Sequence, residues 1–142
     1  MPTVLTTRLP HDLGDPVMSV TLLRWNATVP IFSQPWWTGV GFYPLLDTLA
    51  LSDTRLGMSL ISTLVFWLTG SIIAGYNVLF ILSFAFCAIS AHALVFSLTR
   101  SHPAALVAGR AYGFSPYRAA HLAHLELLAS YWMPVGLLCL HR

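Results

Sequence analysis

Between Leu56 and Thr99 the chain runs for 44 residues without a formal charge, and a Thr69-Gly70-Ser71 break divides the run. The part beyond the break, 72–98, has 27 residues. As a helix rising 1.5 Å per residue it would be about 40 Å long, enough to cross a hydrocarbon core of about 30 Å with some tilt. The part before the break, 56–69, is too short for a full crossing and predicts a membrane-dipping or interfacial helix. A second apolar block opens at Pro103. Residues 103–115 predict a helix stopped at Ser115-Pro116, since a residue before proline avoids the α region. Residues 122–140 add 19 mostly apolar positions, with Glu126 near the start and Pro134 as a kink.

Residues 1–55 follow a different pattern. They hold all four aspartates, Asp12, Asp15, Asp47 and Asp53, among proline and glycine turns. Asp15-Pro16 reads as a helix start, with Asp15 as N-cap and Pro16 at the first helical position. Met18, Leu22, Trp25 and Val29 then recur at spacings of 4, 3 and 4, one apolar stripe of a helix lying on a bilayer surface. The loop from Trp36 to Pro44 is rich in aromatics and suits the headgroup region. Ser52-Asp53 is placed to cap the helix over 56–69.

Composition raises this pattern to a statement of class. Apolar residues make up 56% of the chain and charged residues 8%, against about 25% charged in ordinary globular domains. That is too little polar surface to coat a water-soluble particle. The expected fold is all-α: a polytopic membrane protein of about three transmembrane helices (72–98, 103–115, 122–140) with amphipathic or re-entrant juxtamembrane helices. The expected organisation is an extracytoplasmic loop, 1–55, and a helical membrane region, 56–142. The positive charges are seven arginines, with no lysine, and they are scattered rather than clustered, which excludes nucleic acid as a partner and leaves membrane lipid. Cys87 and Cys139 lie in apolar stretches and read as buried small hydrophobes rather than a disulfide. If Arg100 and Arg142 are cytoplasmic, residues 1–55 and Arg118 lie outside. A polar segment placed outside calls for a span before it, so the expectation is an N-terminal fragment lacking its first helix.

Two groups of residues can carry chemistry. His11-Asp12-Leu13-Gly14-Asp15-Pro16 sets two carboxylates and an imidazole beside the membrane, where a carboxylate acts as a general base or holds a divalent cation against phosphate oxygens. Capping alone also explains Asp15, whereas Asp12 has no such structural role. The second group is Arg118, His121, His124 and Glu126. The two histidines, three apart, would share a helix face and permit joint metal ligation, though no third ligand stands at a recognised spacing. Arg118 suits a lipid phosphate, which its guanidinium can grip with two bonds, and equally suits snorkelling to headgroups. Arg110 and Glu126 fall inside predicted spans, where charge is expensive and points to function or to a mutual pair. Asn26-Ala27-Thr28 matches a glycosylation acceptor, a motif short enough to arise by chance.

The order of these features resembles the N-terminal part of bacterial GT-C-type polytopic membrane glycosyltransferases, of the protein O-mannosyltransferase-like and aminoarabinose-transferase-like kinds. The resemblance lies in the Asp12-x-x-Asp15-Pro16 loop before an amphipathic helix, the Tyr43-Pro44 turn and the helix ending in Thr69-Gly70. It continues through Tyr76-Asn77 opening a long span, Arg100 at its end, and Phe114-Ser115-Pro116-Tyr117-Arg118. It implies an inverting transferase of the bacterial inner membrane that uses a polyprenyl-phosphate-linked sugar. Asp12 or Asp15 would act as base or metal ligand, and Arg118, His121, His124 and Glu126 would bind substrate near the donor phosphate. The rival expectations are a non-catalytic small integral membrane protein and a transporter fragment.

Overall fold

The computed structural model describes residues 2–10, 14–42 and 44–141. It is 75% helix, with no strand among the described residues. Contacts divide the chain into two units, Met1–Leu79 and Phe80–Arg142. The boundary falls inside the long apolar helix, not at 55/56 where composition changes.

In the first unit, α1 (Pro2–Thr7), α2 (Asp15–Thr28), α3 (Gln34–Thr38) and a 3₁₀ turn (Thr48–Leu51) precede α4 (Leu56–Thr69) and the start of α5 (Ile72–Thr99). The predicted break at Gly70 is present. Gly70 closes α4 in the left-handed conformation, φ 71°, with its N–H donating to Phe66 O at 2.8 Å. The pattern did not predict α1. Carbonyls at its end and just beyond it are taken by α5 and the residue before α5: Asn77 Nδ2 donates to Leu5 O and Arg8 O, and Ser71 Oγ to Thr6 O. These bonds satisfy acceptors that a helix end leaves open.

The amphipathic reading of α2 needs correction. Gly14, not Asp15, is the N-cap, and Asp15 sits in the first turn, where its charge favours the helix N-terminus. Ser19, Leu22, Leu23 and Asn26 form the buried face, packed on α4, while Val17 and Met18 are exposed. Two polar residues therefore lie inside and two apolar ones outside, because the internal face is knit by hydrogen bonds.

Asn26 is the centre of that network. Its Nδ2 donates to Thr54 O at 2.7 Å and Ser59 Oγ at 2.6 Å, and its Oδ1 accepts from Trp36 Nε1 at 2.8 Å. A side chain so engaged and buried is no glycosylation acceptor. Trp36, fully buried, packs with Leu22 and Leu49 beneath the rings of Phe32 and Trp37. This part of the aromatic loop belongs to a core, while Phe42 and Leu46 face outward. Ser52-Asp53 does not cap α4 directly. Arg55 occupies the cap position, and Asp53 Oδ1 accepts from Arg55 N at 3.0 Å.

The second unit begins within α5 and continues through α6 (His102–Gly113), α7 (Pro116–Ala120), α8 (Leu125–Leu128) and α9 (Trp132–His141). α6 lies against α5 through small residues. A Cβ on Gly109 would come within 2.7 Å of Ala88 O, and one on Gly113 within 2.8 Å of Ala88 Cβ. Four residues apart, the two glycines share one helix face and let the backbones approach, as packed membrane helices do.

The span predicted over 122–140 is interrupted. A turn at residues 121–123 precedes α8, and residues 129–131 separate it from α9. Pro134, in the first turn of α9, needs no amide donor there, but in a continuous helix it would break a bond to residue 130. Ser130 O instead accepts from Tyr112 Oη at 2.9 Å and Met133 N at 3.1 Å.

Among the described residues α5 alone, 28 residues long, is long and apolar enough to cross a membrane, and 28% of its most apolar stretch is buried. α6 has 12 residues and α9 has 10, short of the roughly 20 a crossing needs. Arg55 and Arg100 both stand in the left-handed conformation, φ 54° each, which costs a residue with a Cβ about 1–2 kcal/mol.

Candidate functional site

The predicted site residues of the second unit, Arg118, His121, His124 and Glu126, lie on α7, α8 and the turn between them, with Arg118 bonded to α5. Ser115-Pro116 starts α7 as its N-cap and first residue, and this placement turns Arg118 inward. Arg118 is 2% exposed. Its Nη1 donates to Leu128 O at 2.7 Å, Cys87 Sγ at 3.0 Å and Ser130 Oγ at 3.3 Å, and its Nη2 donates to Ser83 Oγ at 3.0 Å. The guanidinium carbon lies 4.6 Å from the centre of the Phe84 ring. Nε is buried without a hydrogen-bond partner among the described residues. Arg118 thus ties α5, α7 and the 128–130 turn together, and none of its partners among the described residues is a carboxylate. Burying a cation without a counter-charge is costly, and neutral acceptors offset only part of that cost.

The residues after Arg118 form a row along the chain. His121 closes α7, and its Nδ1 lies 2.7 Å from Tyr117 O. A carbonyl only accepts, so Nδ1 is the donor in this bond. The rings of His121 and Tyr117 are 4.2 Å apart, and those of His121 and His124 are 6.0 Å apart. His124 caps α8, with Nδ1 3.5 Å from Glu126 Oε1. The two histidines flank a turn and do not share a helix, because α7 ends at Ala120. Glu126 pairs with His124 rather than with Arg110, which is exposed on α6. In this unit His124 and Glu126 are close enough to share a cation, one ligand pair where zinc takes three or four. As a carboxylate-oriented imidazole, the pair can also move a proton.

In the first unit Asp15 is half-buried in the first turn of α2, while Asp12 lies outside the described residues. Asp47 accepts from Gln34 Nε2 at 2.9 Å, and Asp53 holds Arg55, so both have structural roles. Cavities of about 310 and 560 Å³ beside α2 and α4 are lined mainly by apolar residues, with no predicted site residue among them.

The pattern overlooked the partners of Arg118. Two of them, Ser83 and Cys87, stand 4 apart on α5 and are buried, and with Ser90, whose hydroxyl donates to Cys87 O, they form a small polar seam in an otherwise apolar helix. That seam was the available signal. Compared with protein-family models, curated proteins and solved structures, the chain has no match.

Proposed function

We propose that the chain is a membrane-embedded part of a polytopic GT-C-like glycosyltransferase that takes its sugar from a polyprenyl-phosphate donor. The order of sequence elements supports this, as do the largely uncovered apolar α5 and the small-residue packing of α6. The observation that carries it is Arg118: a buried guanidinium with no carboxylate partner among the described residues, followed along the chain by His121, His124 and Glu126. In such a reaction the bond from the anomeric carbon to phosphate breaks. The acceptor oxygen attacks with inversion, its proton passes to a base, and cations neutralise the departing phosphate. Arg118, His121 and His124 suit the phosphate. Asp12 and Asp15 are the candidates for base or metal ligand.

The test uses a photoactivatable polyprenyl phosphate with the chain in lipid nanodiscs. Crosslinks are expected in peptides covering 115–131, and His121→Ala with His124→Ala should reduce them about tenfold, the weight of a charge-assisted contact. Labelling spread evenly over every apolar helix would refute the assignment. In a sugar-transfer assay, loss of a general base at Asp12→Asn or Asp15→Asn should lower the rate about 10²–10⁴-fold.

A second reading, a non-catalytic membrane subunit, gains from the same arginine, because its guanidinium is engaged internally. It predicts neither focused labelling nor transfer.

A further inference from the structure

At the end of α5 remote from the Arg118 latch, where the chain turns into α6, lies a cavity of about 530 Å³ lined by His92, Phe96, Ser97, Arg100, Leu138 and His141. We propose that this cavity is an anion site that holds a phosphate group, as borne by an acidic lipid headgroup. It uses none of the residues assigned to sugar transfer and stands without that assignment.

Charge is the first argument. An arginine and two imidazoles line the cavity, and a third imidazole, His102, stacks on Phe96 at 4.3 Å and lies 6.0 Å from His92. No carboxylate lines it among the described residues, and Glu126 is the only acidic side chain in the sequence of this unit. Cations at the carbonyl end of a helix are favourable, but the effect decays within one turn and does not call for so many basic groups. A metal ion is a poor occupant: Arg100 repels it, and among the described residues the imidazole nitrogens do not converge with a further ligand into a metal-holding group. A phosphate accepts bonds from guanidinium and imidazole together, and arginine's planar fork fits it.

The second argument is the backbone at Arg100. It follows the last residue of α5 with φ 54°, and its N–H donates to Phe96 O at 2.9 Å. Glycine ordinarily fills this left-handed position. An arginine held there against its backbone preference points to a use for the side chain. Placement is the third argument: the cavity lies at the end of the one described helix long enough to cross a membrane, the level at which headgroup phosphates sit.

The experiment reads lipid retention. The full chain is placed in phosphatidylcholine nanodiscs containing phosphatidic acid, and retained lipid is measured by native mass spectrometry. A parallel arm titrates inorganic phosphate into the chain in neutral detergent and follows ³¹P line broadening. The wild type should retain phosphatidic acid about tenfold over phosphatidylcholine, as expected for charge-assisted bonds. Arg100→Gly should abolish that preference while keeping or raising the melting temperature, because glycine suits the backbone there. His92→Gln with His141→Gln should weaken the preference, and Arg110→Gln, which removes an equal charge from the exposed face of α6, should leave it unchanged. Displacement of the lipid by inorganic phosphate would assign the site to free phosphate, and resistance to displacement would assign it to headgroups; both support an anion site. An unchanged preference in Arg100→Gly, an equal loss in Arg110→Gln, or no preference together with no line broadening would overturn it.

Discussion

Each unit buries an arginine, and the two are held differently. Arg55, in the first unit, has Asp53 Oδ2 3.6 Å from its Nε, donates to Ser19 Oγ and Asp53 in turn accepts from its backbone N–H. Its charge is answered locally by a carboxylate that reaches solvent. Arg118, in the second unit, is more deeply buried and meets two hydroxyls, a thiol, a carbonyl and a ring. The first arrangement is electrically closed and explains itself as structure. The second leaves a positive charge in the interior, the physical reason to look for an anionic ligand near Arg118 and not near Arg55.

Breaking the second arrangement should cost most. Arg118→Met leaves Leu128 O and the hydroxyls of Ser83 and Ser130 without their donor, and about 3 kcal/mol of stability should be lost in a thermal melt in micelles. Arg118→Lys sharpens the point. It keeps the charge but cannot reach α5 and the 128–130 turn together, so about half of that loss should remain. If lysine restores full stability, charge rather than the fork of bonds holds the unit together.

Next in size is Gly113→Val. An added isopropyl group, whose Cβ alone would come within 2.8 Å of Ala88 Cβ, should part α6 from α5 and cost about 2 kcal/mol, the usual penalty of overpacking. A thermal melt in micelles would report the loss. The smallest effect belongs to the first unit. Asp53→Asn removes the counter-charge of Arg55 but keeps an acceptor for its N–H, and the pair is partly exposed, so the loss should stay below about 1 kcal/mol. A loss as large as that of Arg118→Met would erase the distinction between the two arginines.

The sequence made the first unit's elements legible where punctuation was strong. Asp15-Pro16 located the start of α2, and Gly70, free to adopt a positive φ, separated α4 from α5. It misjudged faces where polar residues turn inward, because a count of apolar positions cannot foresee that Asn26 joins Trp36, Ser59 and Thr54. It also merged α8 and α9 into one span. Hydropathy averages over residues 129–131, and only Pro134 hinted at the break. The candidate site was half legible. Arg118, His121, His124 and Glu126 follow one another along α7, the turn after it and α8, but the reading placed the arginine at a lipid surface and the structure buries it. What decides its position on α5 is Ser83 and Cys87, small polar side chains too weakly marked to stand out in an apolar run.

The central claim is that α5 lies within a bilayer with its outward apolar face against lipid. With Cys87 and Cys139 replaced by serine, nitroxide labels at Ile81→Cys, Ile89→Cys and Arg100→Cys test it directly in liposomes. The account predicts that the first two labels meet dissolved oxygen but not a water-soluble nickel chelate, while the label at 100 meets the chelate. Chelate access at 81 and 89, in a chain that stays folded and monomeric in detergent-free buffer, would contradict it.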